Sequence, residues 1–130
     1  MPATSPVPFQ SGFRLIDGDA LNRQLGQTSS SETAIVATAG GGQANAYQLS
    51  AANNKVATVA TTADSVKLPP AKAGLEVQIR NSGANSMQVF GVSPDTINAV
   101  ATGTGVAQAA GLSASYFCPA DGEWFRILSA

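Results

Sequence analysis

The side chains able to do chemistry are few, and their types exclude more than they suggest. The chain has no histidine, which removes the commonest general base and metal ligand together with the Ser-His and Cys-His nucleophile pairs. Its single cysteine, Cys118, excludes an intrachain disulfide and a multi-cysteine zinc site. Between Phe117 and Pro119 it reads as a buried apolar filler in a core strand. Two carboxylate pairs carry the minimum equipment of a glycoside hydrolase. Asp17 and Asp19 are better explained by helix capping or a turn, and Asp121 and Glu123 flank Gly122 in a tight turn. The run Gly40-Gly41-Gly42 lacks the lysine and Ser/Thr of a phosphate loop and the spacing of a dinucleotide fingerprint, so it reads as a connection. The expectation is a protein that is no enzyme, with no catalytic, cofactor-binding or metal site.

Charge narrows the partners. The 130 residues include 7 Lys and Arg against 8 Asp and Glu, a net charge of −1, and only 12% are charged, against a usual figure of roughly 25%. The basic residues Arg14, Arg23, Lys55, Lys67, Lys72, Arg80 and Arg126 form no cluster in sequence, which argues against nucleic acid and against an anionic membrane. No stretch approaches the roughly 20 apolar residues of a membrane span. The start of the chain has neither a basic stretch nor a continuous apolar run, so the expectation is a protein used without export or assembled inside the cell. An exposed Trp124 or Tyr47 would stack on a sugar, but a core role suits Trp124 better beside the Asp121-Gly122 turn.

The elements that must position these residues fall into two parts. Residues 1–32 read as an extended N-terminal arm. Pro2, Pro6 and Pro8 favour extended backbone, since each ring fixes φ and biases its predecessor away from the helical region. Beyond them lie Phe9, Phe13, Leu15 and Ile16, then a short helix over 17–26 with Leu21 and Leu25 on one face and Gly26 as its stop. Such an arm must rest on its own domain or on a neighbour. Pro6, Pro8, Phe9, Phe13, Leu15, Ile16, Leu21 and Leu25 are therefore the candidate partner-binding residues.

Residues 33–130 read as a β domain: short alternating or β-branched segments separated by turn chemistry. The clearest is Leu75 to Arg80, apolar at 75, 77 and 79 and polar between, which predicts a half-buried strand. Asn81 to Asn85 reads as a hairpin loop that pairs this strand antiparallel with Met87 to Val92. Ser65 to Leu68 must stop at Pro69-Pro70, a short strand is expected near Val106, and Asp121-Gly122 predicts a closing hairpin. Roughly eight strands point to an all-β fold, an antiparallel β-sandwich, jelly roll or closed barrel. Its expected core includes Leu75, Val77, Ile79, Val89, Trp124 or Phe125, and Ile127.

Several stretches resemble small structural proteins of tailed bacteriophages. They are the run Val66-Lys67-Leu68-Pro69-Pro70-Ala71-Lys72-Ala73-Gly74-Leu75-Glu76-Val77-Gln78-Ile79-Arg80-Asn81-Ser82-Gly83, then Met87-Gln88-Val89-Phe90, Asp95-Thr96-Ile97-Asn98, Tyr116-Phe117 and Gly122-Glu123-Trp124. The similarity covers about residues 64–127, and Gly12 to Gly18 with Leu21-Asn22 also looks like the N-terminal stretch of such proteins. These motifs are structural. The resemblance implies a virion protein, foremost a capsid decoration (cement) protein with a jelly-roll-like domain that trimerises on the phage head, binds the major capsid protein and bridges coat subunits. The alternative is a tail, collar, baseplate or fibre component that binds a host receptor or carbohydrate. A small β domain so poor in charge is itself expected to hide surface against copies of itself, with a homotrimer as the predicted state. Assembly in the host cytoplasm follows from the same reading.

Overall fold

In the computed structural model the described residues are 30–40 and 42–130. The arm residues singled out above, Pro6 to Leu25, and the short helix over 17–26 lie outside them. The chain divides into two units, Met1–Ser30 and Ser31–Ala130, and the second is described here.

This unit is all-β, with ten strands and no helix among the described residues: β1 (Ser31–Val36), β2 (Tyr47–Gln48), β3 (Asn53–Thr58), β4 (Ser65–Lys67), β5 (Glu76–Asn81), β6 (Met87–Phe90), β7 (Thr96–Ile97), β8 (Val106–Gln108), β9 (Ser113–Ala120) and β10 (Glu123–Leu128). They form a six-stranded sheet in the order β1-β3-β5-β9-β10-β7 and a four-stranded sheet in the order β2-β4-β6-β8.

The pairing corrects the expected antiparallel sandwich or jelly roll. β1, β3 and β5 stack in parallel in the larger sheet, and β2, β4 and β6 stack in parallel in the smaller. The chain thus alternates between the sheets and winds a short β-solenoid. Ser31 pairs with Asn53 and Asn53 with Gln78, while Tyr47 pairs with Val66 and Val66 with Val89, so one coil takes about 19 to 25 residues. Apart from an isolated bridge between Thr38 and Ser65, the antiparallel pairing of the described strands comes at the end of the winding, where β9 pairs with β5 and β10, and β8 with β6.

The expected hairpin of β5 with β6 is absent, because the two strands belong to different sheets. The loop between them is a coil corner. The Asn81 amide is buried, its Nδ2 donating to Asn85 O (3.0 Å) and Gln108 O (2.8 Å), while Gly83 N donates back to Asn81 Oδ1 (2.9 Å). Asn85 Nδ2 then reaches the corner of the previous coil at Val59 O and Ala60 O. Asn-x-Gly serves here as an Asx turn. Gly83 is required by proximity, since a Cβ there would lie 2.5 Å from Val59 N.

Both sheets turn one face to a common core. Ile35, Val56, Val77, Ile79, Tyr116 and Trp124 come from the larger sheet, and Val66, Met87 and Val89 from the smaller. Leu75 is only partly buried and packs against this core from just outside β5. The alternation in β5 holds, with Glu76, Gln78 and Arg80 exposed and Val77, Ile79 and Asn81 buried. The Asp121-Gly122 hairpin also forms, Ala120 pairing with Glu123. Its interior residue is Trp124, at 0% exposure, whereas Ile127 is 65% exposed and does not belong to the core. Successive strand residues face opposite sides, so an inward Trp124 forces Phe125 and Ile127 outward.

Candidate functional site

Of the catalytic candidates weighed in the sequence, Cys118 and Asp121 have structural employment. Cys118 is buried and its Sγ donates to Ala120 O at 3.0 Å; burial pushes the thiol up. Asp121 Oδ1 accepts from Ala73 N at 2.9 Å, and Asp95 Oδ2 from Ala71 N at 2.8 Å, so both carboxylates tie the closing turns to the segment after Pro70. Glu123 opens β10 as an exposed residue. Tyr47 is half-buried, and its phenol donates to the Glu32 carboxylate, a bond that raises the phenol further above its ordinary range. Among the described residues no group of His, Cys, Asp and Glu could hold a metal ion, and no helix is long and apolar enough to cross a membrane. Asp17, Asp19 and Gly41 lie outside the described residues, as do all eight partner-binding candidates of the arm.

Among the described residues, two regions on the outer face of the six-stranded sheet are suited to contact something else. One is apolar. β9 and β10 pair Phe117 with Phe125, and the rings tilt at 33° with centroids 6.1 Å apart. Ile127 stands two residues further along β10 on the same face. This cluster exists because the inward phase of the hairpin is taken by Tyr116, Cys118 and Trp124.

The other region is polar. Across β3, β5 and β9 the register aligns Lys55, Arg80 and Ser113 in one row, and Asn53, Gln78 and Ser115 in the next, with Ser31 of β1 ahead of Asn53. β1 carries one extra residue between Glu32 and Ile35 against Asn54 and Val56 of β3, a bulge that turns the edge strand away at the level of Lys55. The result is a groove of about 380 Å³. Arg80 Nη1 donates to Gly111 O and Gln78 Nε2 to Ser115 Oγ at 3.0 Å.

Sequence reading missed this groove because Lys55 and Arg80 are far apart along the chain. One signal was present: the pattern amide-x-cation occurs as Asn53-x-Lys55 and again as Gln78-x-Arg80, at the spacing that one coil imposes.

Compared with known proteins, the chain matches no family model, no curated protein and no solved structure.

Proposed function

We propose that the chain is a structural protein of a tailed-phage virion, a decoration protein that binds the assembled head as a homotrimer and bridges subunits of the major capsid protein. The observation that carries this reading is the outward apolar cluster of Phe117, Phe125 and Ile127 on a domain with few charges. Phe117 and Phe125 are partly exposed and Ile127 is exposed; outward apolar side chains of this kind are what an assembly surface uses, and a closed cyclic oligomer is the usual way to cover them. The resemblance over residues 64–127 supports the virion setting, and the apolar sequence of the arm supports contact with neighbours.

The role is binding without chemistry. A component that binds only the assembled shell shifts stability toward that state, and threefold attachment multiplies modest contacts through effective concentration. A jelly-roll topology is not required for this.

The test has two readouts. Sedimentation of the full chain should give a trimer, and a Phe125→Ser, Ile127→Glu variant should sediment as a folded monomer with cooperative melting, because neither side chain belongs to the core. A virion density map should place many copies over the head. A few copies in a ring at the tail, or a single trimer in a fibre, would overturn the decoration role, and a wild-type monomer at high concentration would overturn the apolar cluster as a self-contact.

A further inference from the structure

The geometry points to a second site of different chemistry on the same sheet: the groove over β1, β3, β5 and β9 binds a carboxylate-bearing saccharide. Lys55 and Arg80 hold the carboxylate, and Asn53, Gln78 and Ser113 serve the ring hydroxyls.

The first argument is the placement of charge. Lys55 and Arg80 are register partners on adjacent strands, which lie about 4.8 Å apart, and both are exposed on the outer face. Like charges directly opposite each other destabilise a sheet. No carboxylate of the described residues pairs with Lys55 or Arg80. Glu32 lines the same groove, but its carboxylate is engaged by the Tyr47 phenol. Glu76 lies four residues before Arg80 on β5, about 13 Å along the strand. Asp64, Asp95 and Asp121 are bound at corners by the backbone amides of Thr61, Ala71 and Ala73. The paired cations are therefore a cost to the fold that an anionic ligand would offset.

The second argument is what surrounds them. Ligand sites for small molecules begin at roughly 300 Å³, and the groove holds about 380 Å³. Its side chains are amides and hydroxyls in two rows at strand spacing, donors and acceptors suited to sugar hydroxyls. It has no aromatic platform of the kind single-stranded nucleic acid stacks upon. The site stands apart from the virion reading, since none of its residues belongs to the apolar cluster.

The probe is trigalacturonate, titrated into the full chain and followed by backbone amide shifts, with its methyl ester, maltotriose and inorganic phosphate run at the same ionic strength. Trigalacturonate should move the amides of Asn53 to Lys55 and Gln78 to Arg80. The ester and Lys55→Gln should each weaken binding about tenfold, the size of one lost charge-assisted contact. No side-chain hydrogen bond or ion pair of Lys55 is present among the described residues, and its charge faces Arg80, so the variant should melt no lower than the parent. Equal affinity for acid and ester would overturn the carboxylate assignment. Phosphate binding as tightly as the uronate would reduce the site to a bare anion contact and overturn the saccharide. No binding, or shifts elsewhere, would overturn the groove. The monomeric Phe125→Ser, Ile127→Glu variant should bind unchanged, which keeps failure here distinct from failure of the assembly reading.

Discussion

The wound part of the domain, β1 to β6, and the closing part, β7 to β10, solve the same packing problem by different means. In the wound part each strand meets its neighbour one coil away, the inward residues are mostly aliphatic, and corners are stapled by side-chain amides such as Asn81 and Asn85. In the closing part a local hairpin supplies the two largest fully buried side chains, Trp124 and Tyr116. One buried network joins the parts. Tyr116 Oη donates to Gln108 Oε1 at 2.8 Å, Gln108 Nε2 donates to Ile79 O and Leu112 O at 3.0 Å, and Asn81 Nδ2 reaches Gln108 O. The comparison teaches that a short coil with repeats of unequal length needs a cap of bulky residues, since terminal repeats must differ from inner ones.

The hardest test of that comparison is a charge at the seam. Val77 sits in β5, the last coil strand of the larger sheet, which borders both the preceding coil strand β3 and the cap strand β9, and it is 3% exposed. Val77→Asp buries an unpaired carboxylate and should cost roughly 4 kcal/mol or more, enough to unfold the domain at neutral pH. Ile127→Asp places the same group on the outer face of the cap, where it should change the stability of the single domain by less than about 0.5 kcal/mol and cost only what the self-contact contributes. Denaturant midpoints of the two variants check both claims. A folded Val77→Asp protein would mean that β5 is registered one residue away from its described pairing.

A smaller effect isolates the network between the parts. Burial, opposed by Arg126, pushes the Tyr116 phenol up to about 12. The folded state thus keeps its proton where the unfolded chain, near the ordinary value of about 10, has begun to lose it. The stability this contributes is fully present below pH 10 and is lost as pH rises from about 10 to 12, on the order of 2 to 3 kcal/mol in all. Denaturation at a series of alkaline pH values should show that slope. Tyr116→Phe should flatten it while costing about 1 to 3 kcal/mol at pH 8, because Gln108 Oε1 loses its buried donor. An unchanged slope in the variant would assign the alkaline loss to other groups.

The same division decides what could be read in the sequence. The alternation of β5, the Asp121-Gly122 hairpin, the stop before Pro69 and the burial of Cys118 and Trp124 were legible, because each rests on neighbours within a few residues. The parallel coil was not, since Asn53 meets Gln78 across a whole repeat and the inward ladder changes from Ile35 to Val56 to Asn81. Asn81 to Asn85 has the residues of a hairpin loop, and what makes it a corner is its contact with Val59, a tertiary fact. Ile127 is apolar but faces out, because Trp124 and Ile127, three residues apart on one strand, lie on opposite faces. The cationic groove followed the coil into obscurity: its two charges become neighbours only once the register is known.

The smallest expected effect contrasts two glycines, one from each part. Gly83 at the coil corner has no room for a Cβ, the obstacle being the backbone and side chain of Val59. Gly122 in the cap hairpin has room, with Asp95 Oδ1 at 3.8 Å, but sits at φ +83°. Gly83→Ala should therefore cost about 1 to 3 kcal/mol through displacement of one coil from the next, and Gly83→Asn should be no better. Gly122→Ala should cost about 1 to 2 kcal/mol through backbone strain alone, and Gly122→Asn should recover part of it, since asparagine tolerates the left-handed region. Melting temperatures of the four variants check the contrast. Recovery by asparagine at 83, or none at 122, would show that conformation and proximity had been assigned to the wrong turns. The corner would then be held by its own φ, and the coils would not need the close approach that Gly83 provides.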